Sequence, residues 1–300
     1  RQRQMCIRDR VELEGLPYID TRISFNSFIP IHLDESIGNR LVDYYIDRLK
    51  TEPNLHDKVE FEVIWSCFTF DLKKNLGSLP EHRFSDSDRQ AIFESLKKIT
   101  NAILHPTDGI WLQDAHRLTL LSQRRDRLKD ANMNVYDRIY WLIEDAKRYG
   151  TLPFAGLARA AFIAVQMLRS LVSVRILKNS DYDRFMGSVS TISAEMTRDI
   201  CGLTKNDFLK KYGHLRPGTY DILSPRYDEA PELYFNWKRQ RQGKPKEERF
   251  SLSKSQVTRI DEQLKRHGIA TDAEKLFSFM RSAIESVSYT HLTLPTIYSV

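Results

Sequence analysis

Between Lys211 and Tyr227 the chain reads Lys-Tyr-Gly-His-Leu-Arg-Pro-Gly-Thr-Tyr-Asp-Ile-Leu-Ser-Pro-Arg-Tyr, its densest run of groups that can do chemistry. His214 can take or give a proton near neutral pH. Arg216 and Arg226 offer paired N–H donors, the geometry that phosphate and carboxylate oxygens match. Tyr220 adds a hydroxyl, and Asp221 can orient His214 or one of the arginines. Pro217-Gly218 asks for a type II-like turn, which folds these groups into a short irregular stretch. A polar loop on a regular scaffold is where binding groups commonly sit. The same residues read equally well as an ion-pair network that fixes a long loop and holds no ligand.

Other positions carry weaker signals. Arg22, Asn26 and Ser27 can line the same site or close a network at the end of a strand. Arg159 stands on an otherwise apolar helical pattern; a buried structural ion pair is the first reading and a contact to an anionic ligand the second. Cys67 and Cys201 are expected to pack as small apolar groups. The run from Ser122 to Lys129 mixes charge signs and reads as a solvated helix face. The basic stretch from Lys238 to Lys246 runs straight into Glu247 and Glu248 and lacks spaced aromatics, so no nucleic-acid partner is expected.

Missing motifs narrow the chemistry further. Only 12 glycines occur in 300 residues. None are spaced for a dinucleotide-binding turn or a nucleophile elbow, and Gly243-Lys244 has no glycine upstream at phosphate-loop spacing. No two of the 8 histidines lie four apart, which removes the zinc-protease helix motif. With 41% hydrophobic and 29% charged residues the chain is not of disordered type. The strongly apolar stretch between Arg159 and Arg169 is far shorter than the roughly 18 residues of a membrane span, so no membrane partner is expected. Three scattered cysteines fit a reducing compartment, and a cytoplasmic location is expected.

The two ends read differently from the rest. Met5 to Arg10 can be encoded by ATG TGT ATA AGA GAC AG, and Val287 to Leu292 by GTC TCT TAT ACA CAT CT. The two strings share a reverse-complementary core and resemble a transposon end used to fragment DNA for sequencing. Residues 1–10 and 287–300 are therefore expected to be adapter-derived and are set aside from the fold. The formal charge then drops from +6 to +3, because residues 1–10 hold four Arg and one Asp. Residues 11–286 are expected to be one helical part of a longer chain.

The elements that must position the polar loop follow from periodicity. Residues 11–33 read as strand and loop, and Asp34 caps a helix through Lys50. Residues 58–70 alternate at Val59, Phe61, Val63 and Trp65, the period of a half-buried strand. Helices are predicted over 85–104, 112–130, 134–149, 152–178, 181–201, 204–212, 253–267 and 271–286. Gly150, Gly213 and Gly268 stand where helix-ending glycines belong, and Thr271 with Glu274 fits a capping box. Helix 152–178 is apolar around most of its circumference, with a polar stripe of Arg159, Gln166, Ser170 and Ser173, and belongs mid-bundle. Residues 213–250 are an irregular excursion ending in a charged segment. The fold class is mainly α: a helical bundle with a small β element near the N-terminus.

The segment from Tyr212 to Arg226 resembles the Tyr-Gly-His-x-x-Pro-Gly-x-x-Asp … Ser-Pro-Arg signature of phosphoenolpyruvate-utilising phosphotransferases. That group includes phosphoenolpyruvate synthase-like, pyruvate phosphate dikinase-like and rifampin phosphotransferase-like proteins. The segments Lys147 to Ala160 and Ser24 to Pro30 resemble uncharacterised synthase-like members, so the likeness covers essentially all of 17–286. It implies a parent protein with an ATP-grasp domain, a swivelling phosphohistidine domain and a helical acceptor-side domain, the last being this chain. ATP and Mg²⁺ are implied for the parent and no cofactor for this part; a small-molecule acceptor is implied as partner. His214 and Asp221 would act on the acceptor, while Arg216, Tyr220, Arg226, Arg159, Arg22 and Asn26 would bind the incoming groups. Rifampin phosphotransferases tend to show His-Arg-Gly-Pro-Gly-Glu, whereas here Arg216 is displaced by one position and Thr219 replaces the acid. Rifampin is thus not the expected acceptor. The competing reading is a non-catalytic helical interaction or regulatory domain that keeps the loop for structural reasons. Source DNA read across residues 10/11 and 286/287 is expected to lose the adapter-like string at both junctions; finding it intact on both sides contradicts that reading.

Overall fold

The computed structural model describes residues 10–105, 109–216, 223–237 and 250–297. Strands β1 (Arg10–Leu13) and β2 (Leu16–Ile19) pair antiparallel, Val11 opposite Tyr18 and Leu13 opposite Leu16. Glu14 and Gly15 both take positive φ, the conformation of a tight two-residue hairpin turn. Helices then follow almost without interruption: α1 (Thr21–Asn26), α2 (Glu35–Thr51), α3 (Leu72–Leu76), α4 (Asp86–Leu104), α5 (Ile110–Asp130), α6 (Val135–Asp145) and α7 (Leu152–Ser173). After these come α8 (Asn179–Ser188), α9 (Ile192–Gly202), α10 (Lys205–Tyr212), α11 (Pro231–Tyr234), α12 (Lys254–His267) and α13 (Ala273–Ile297). The protein is mainly α, with its small β element at the N-terminal side.

Local chemistry fixes where these helices begin. Asp34 accepts from the Ser36 and Ile37 amides at the start of α2. Ser85 with Asp88 and Ser253 with Gln256 form reciprocal capping boxes on α4 and α12. Gly268 ends α12 in the left-handed conformation.

Helix α7 sits in the middle of the bundle, packed on α5 and α13. Leu157, Ile163, Ala164, Met167, Leu168 and Leu171 are fully buried on it. A π-helical stretch, Ala146–Thr151, joins α6 to α7, so one helical rod runs over Val135–Ser173. An 18-residue window of this rod reaches a mean hydropathy of 1.4, a longer apolar stretch than the one bounded by Arg159 and Arg169. Sixty-one per cent of that window is buried inside the bundle, where the apolar surface is spent on neighbouring helices.

The predicted strand over 58–70 is not a strand. Val59–Val63 is a π-helical turn, and residues 64–70 cross the core as an irregular segment, extended at Ile64, bent at Cys67 and turning at Phe70, with no partner strand among the described residues. Ile64, Cys67, Phe68 and Phe70 are buried, as are Ser66 and Thr69 between them, so burial does not alternate. Side chains from three helices satisfy the backbone instead. The Trp65 amide donates to Tyr45 Oη on α2 at 3.2 Å, and the Phe68 amide to Thr100 Oγ1 on α4 at 2.8 Å. The Phe70 amide donates to Ser170 Oγ on α7 at 3.2 Å. Thr100 and Ser170 pass their own protons back to helix carbonyls, those of Leu96 and Met167. Complete burial pushes the Tyr45 phenol far above its ordinary range, so it stays protonated.

Other departures have local causes. Residues 20–26 form α1, started by Asp20 accepting from the Ile23 amide. Helix 152–178 stops at Ser173, after which Arg175 takes φ +59° and Ile176 and Leu177 turn into the core. Helix 181–201 is split because Thr191 caps α9, while the Ser190 amide donates to the Glu285 carboxylate on α13. Gly150 ends no helix; it is buried inside the π-helical stretch. Asp272, not Thr271 with Glu274, caps α13 by accepting from the Lys275 amide. The backbone of α13 continues helical past 286, to Ile297.

Thr100→Val keeps the shape of a fully buried side chain but leaves the Phe68 amide without an acceptor. It is expected to lower unfolding free energy by about 1–3 kcal/mol, and Thr100→Ser by much less, in urea titration. Equal effects of the two variants contradict this account of residues 64–70.

Candidate functional site

The polar loop stands on its own apolar platform. Phe208, Tyr212 and Leu215 are buried in a cluster apart from the main core, completed by partly buried Tyr227, Phe235 and Trp237. Phe208 meets Phe235 edge-on at 5.2 Å and Trp237 at 5.7 Å between centroids, and Tyr227 meets Phe235 at 4.8 Å. Below the platform α10 is tied to α9: Lys211 Nζ donates to Glu195 at 2.5 Å and to Asp199 at 2.7 Å, and Tyr212 Oη donates to Asp199 at 2.7 Å. Burial and the Asp199 charge push the Tyr212 phenol up to about 12.

Two backbone hydrogen bonds bring the ends of the loop together. The Tyr227 amide donates to the Leu215 carbonyl at 2.9 Å, and the Asp228 amide to the Gly213 carbonyl at 3.0 Å. Gly213 does cap α10, but in right-handed conformation, so φ is not the reason for glycine there. A Cβ at 213 would lie 2.3 Å from the Leu209 carbonyl oxygen and 2.8 Å from Asp228 Cβ. Glycine is needed because a Cβ would collide first with the Leu209 carbonyl of its own helix and then with the returning chain at Asp228.

This closure sets His214 within electrostatic range of Arg226 and Asp228. Partial burial, then the Arg226 charge, hold the imidazole below its ordinary value of 6.5, against a smaller opposing pull from Asp228. His214 is therefore neutral at pH 7 and able to accept a proton. Arg226 is less open than its sequence suggests. Its Nε and Nη2 both donate to the Asp228 carboxylate, at 2.9 and 2.5 Å, and Glu229 stands 3.7 Å away. Arg216 is exposed, and its Nη1 donates to the Ser224 carbonyl. Tyr220, Asp221 and the Pro217-Gly218 turn lie outside the described residues, as does the basic stretch after Trp237.

The remaining candidates sit elsewhere. Arg22, exposed on α1, pairs with Asp43 on α2 at 2.5 Å, and Asn26 ends the same short helix. Ser27 is buried and donates to the Ser24 carbonyl. Arg159 is buried on α7 with its guanidinium 3.9 Å over the Phe28 ring, so the two segments that resemble synthase-like proteins touch each other. Cys67 is fully buried, and burial pushes its thiol up to about 12, as expected of an inert packed cysteine.

Two acids that the sequence left unremarked are structural. Asp145, buried, accepts from Arg124 Nε at 2.8 Å, which removes Arg124 from the solvated face assigned to 122–129. Asp114 is buried against α7 at Gly156, where a Cβ would come within 2.0 Å of its Oδ2. Asp228 was missed by the sequence reading; its place two residues after Arg226 is the one signal that points to the pair. Among the described residues no group of three or more His, Cys, Asp or Glu is arranged to hold a metal ion.

Because Arg226 helps to hold His214 neutral, Arg226→Gln is expected to raise the His214 titration midpoint followed by NMR; an unchanged midpoint contradicts the geometry. The depressed midpoint also has a stability consequence. Below about 6.5 the unfolded imidazole binds protons that the folded one refuses, so His214 makes the protein less stable as the pH is lowered through that window. His214→Gln is expected to flatten the acid side of the stability profile.

Comparison of the chain with protein-family models, with curated proteins and with solved structures finds no match.

Proposed function

We propose that this chain is the acceptor-side helical domain of a phosphoenolpyruvate-synthase-like phosphotransferase. The reading rests on the resemblance of residues 212–226 and is supported most by one observation: His214 is held half-buried and neutral beside a cation, on a closed corner with its own aromatic platform. A neutral imidazole suits a group that must take a proton from an acceptor hydroxyl. In the proposed step the acceptor oxygen attacks the phosphorus of the carrier phosphohistidine. The P–O bond forms as the P–N bond breaks, His214 takes the hydroxyl proton, and the carrier imidazole leaves. Arg216 and Arg226 would meet the equatorial phosphoryl oxygens. For Arg226 this means exchanging the Asp228 carboxylate for a phosphoryl group, a substitution of one anion for another. His214 is not the carrier; ATP and Mg²⁺ belong to the ATP-grasp partner domain, and the carrier histidine to the swivelling one.

A second reading, a non-catalytic interaction domain, is favoured by a different observation. On α6, Val135, Tyr136, Ile139, Tyr140, Trp141 and Ile143 are all exposed, forming an apolar face of the kind that marks contact surfaces.

The gene around residues 11–286 is expected to encode an ATP-grasp domain upstream and a phosphohistidine domain downstream; finding neither contradicts the proposal. In that parent protein, His214→Ala is expected to leave ATP-dependent carrier phosphorylation intact and to slow discharge to the acceptor by about 100-fold or more. Discharge at the wild-type rate removes His214 from the mechanism and favours the second reading.

A further inference from the structure

The polar stripe of α7 has a use that the His214 loop does not absorb. Gln166, Arg169, Ser170 and Ser173 line one side of a cleft of about 530 Å³, with the irregular segment around Trp65 and Ser66 and, on α3, Lys74 and Asn75 lining the rest. That volume lies within the ordinary range of small-molecule sites. Three cations converge on it, Arg48, Lys74 and Arg169, against the carboxylates of Glu62 and Asp71.

Arg48 Nη1 donates to the Val63 carbonyl at 3.5 Å and Arg169 lies 5.0 Å over the Phe61 ring, but the carboxylate pairs of both are long. Arg169 stands 3.7 Å from Glu62 and Arg48 3.9 Å from Glu52, beyond hydrogen-bonding distance, whereas most other arginine pairs of this protein close to between 2.5 and 3.2 Å. Lys74 makes no ion pair among the described residues. Asp71 is occupied, accepting from Thr69 Oγ1 at 2.8 Å. Neutral polar groups line the rest. Ser66 is 2% exposed, and its Oγ finds no nitrogen or oxygen partner among the described residues, its polar neighbour being the Cys67 thiol. Gln166 donates to the Glu60 carbonyl at 2.8 Å, which fixes the amide and leaves its oxygen as an acceptor. Trp65, stacked on Tyr44 at 6.0 Å with planes 12° apart, presents a rigid aromatic surface.

We propose that this cleft binds a phosphorylated sugar or polyol, its phosphate between Arg169, Arg48 and Lys74 and its hydroxyls on Asn75 and Gln166. Cations whose carboxylates stand this far away can trade them for a phosphate at small cost. The Trp65 ring takes the C–H face of the ligand. The site shares no lining residue with the His214 loop and stands whether or not that loop transfers phosphate.

The test is calorimetric titration of the full chain with glucose 6-phosphate, ribose 5-phosphate, glycerol 3-phosphate, glucose and inorganic phosphate. At least one of the phosphorylated polyols is expected to bind saturably, about tenfold or more tighter than glucose or inorganic phosphate. Arg169→Gln and Lys74→Gln, both at exposed positions, are expected to keep the wild-type melting temperature and weaken that binding about tenfold each. Arg125→Gln, a surface cation on α5, leaves it unchanged. Tryptophan emission should change on binding and lose that change in Trp65→Phe. Failure of all three phosphates to bind, binding of inorganic phosphate as tight as theirs, or affinity indifferent to Arg169 and Lys74 overturns the proposal.

Discussion

A buried irregular segment with no neighbouring strand among the described residues is the constraint on which this fold turns. Residues 64–70 carry amide donors into an apolar core, where an unsatisfied donor costs about 1–3 kcal/mol. Tyr45, Thr100 and Ser170 remove that cost from three directions, so α2, α4 and α7 must meet around one segment in one register. Hydrophobic burial alone does not choose between rotations of these helices; the three polar contacts do. The same segment lines the cleft with Arg169 and carries Cys67 into the range of the Arg159 charge. Main core and cleft thus share one structural element.

The His214 loop is organised independently. Its platform of Phe208, Tyr212, Phe235 and Trp237 is separate from the core around α7, and its closure rests on two backbone hydrogen bonds and one glycine. A cluster of that size fixes a corner without committing the bundle to it. Function on this loop can therefore vary with little penalty to the fold, which is the usual arrangement for binding groups carried on a rigid scaffold. The charge layout agrees: Arg226 lowers the affinity of His214 for protons while Asp228 neutralises Arg226, so the corner bears a neutral base beside an already balanced ion pair.

Helices were legible because their signals are local. Asp34, Ser85, Asn134, Thr204 and Ser253 cap their helices in agreement with the predicted starts, and the nearly all-round apolar pattern of α7 places it at the bundle centre. The failed strand depended on distant partners. The alternation at Val59, Phe61, Val63 and Trp65 fits a strand only if another strand exists to pair with, and here side chains of three helices take that role. Gly150 carries a stop signal overridden by packing, while Gly213 is required by the Leu209 carbonyl of its own helix together with a chain returning from fifteen residues on. The candidate site was half legible. Residue types marked His214 and Arg226, but only the closed corner shows Arg226 spent on Asp228, and Arg22 and Asn26 belong to a different corner. The α7 stripe was visible as a pattern; its meaning needed the segment that crosses it.

The most direct measurement is hydrogen exchange at the Phe68 and Phe70 amides. Both donors are held by single side-chain oxygens, so wild-type protein should protect them nearly as well as the central amides of α7. Ser170→Ala should accelerate exchange at Phe70 far more than at Phe68, and Thr100→Val the reverse. Fast exchange of both amides in the wild-type chain, or identical responses to the two substitutions, would contradict the claim that these contacts lock the buried segment in place.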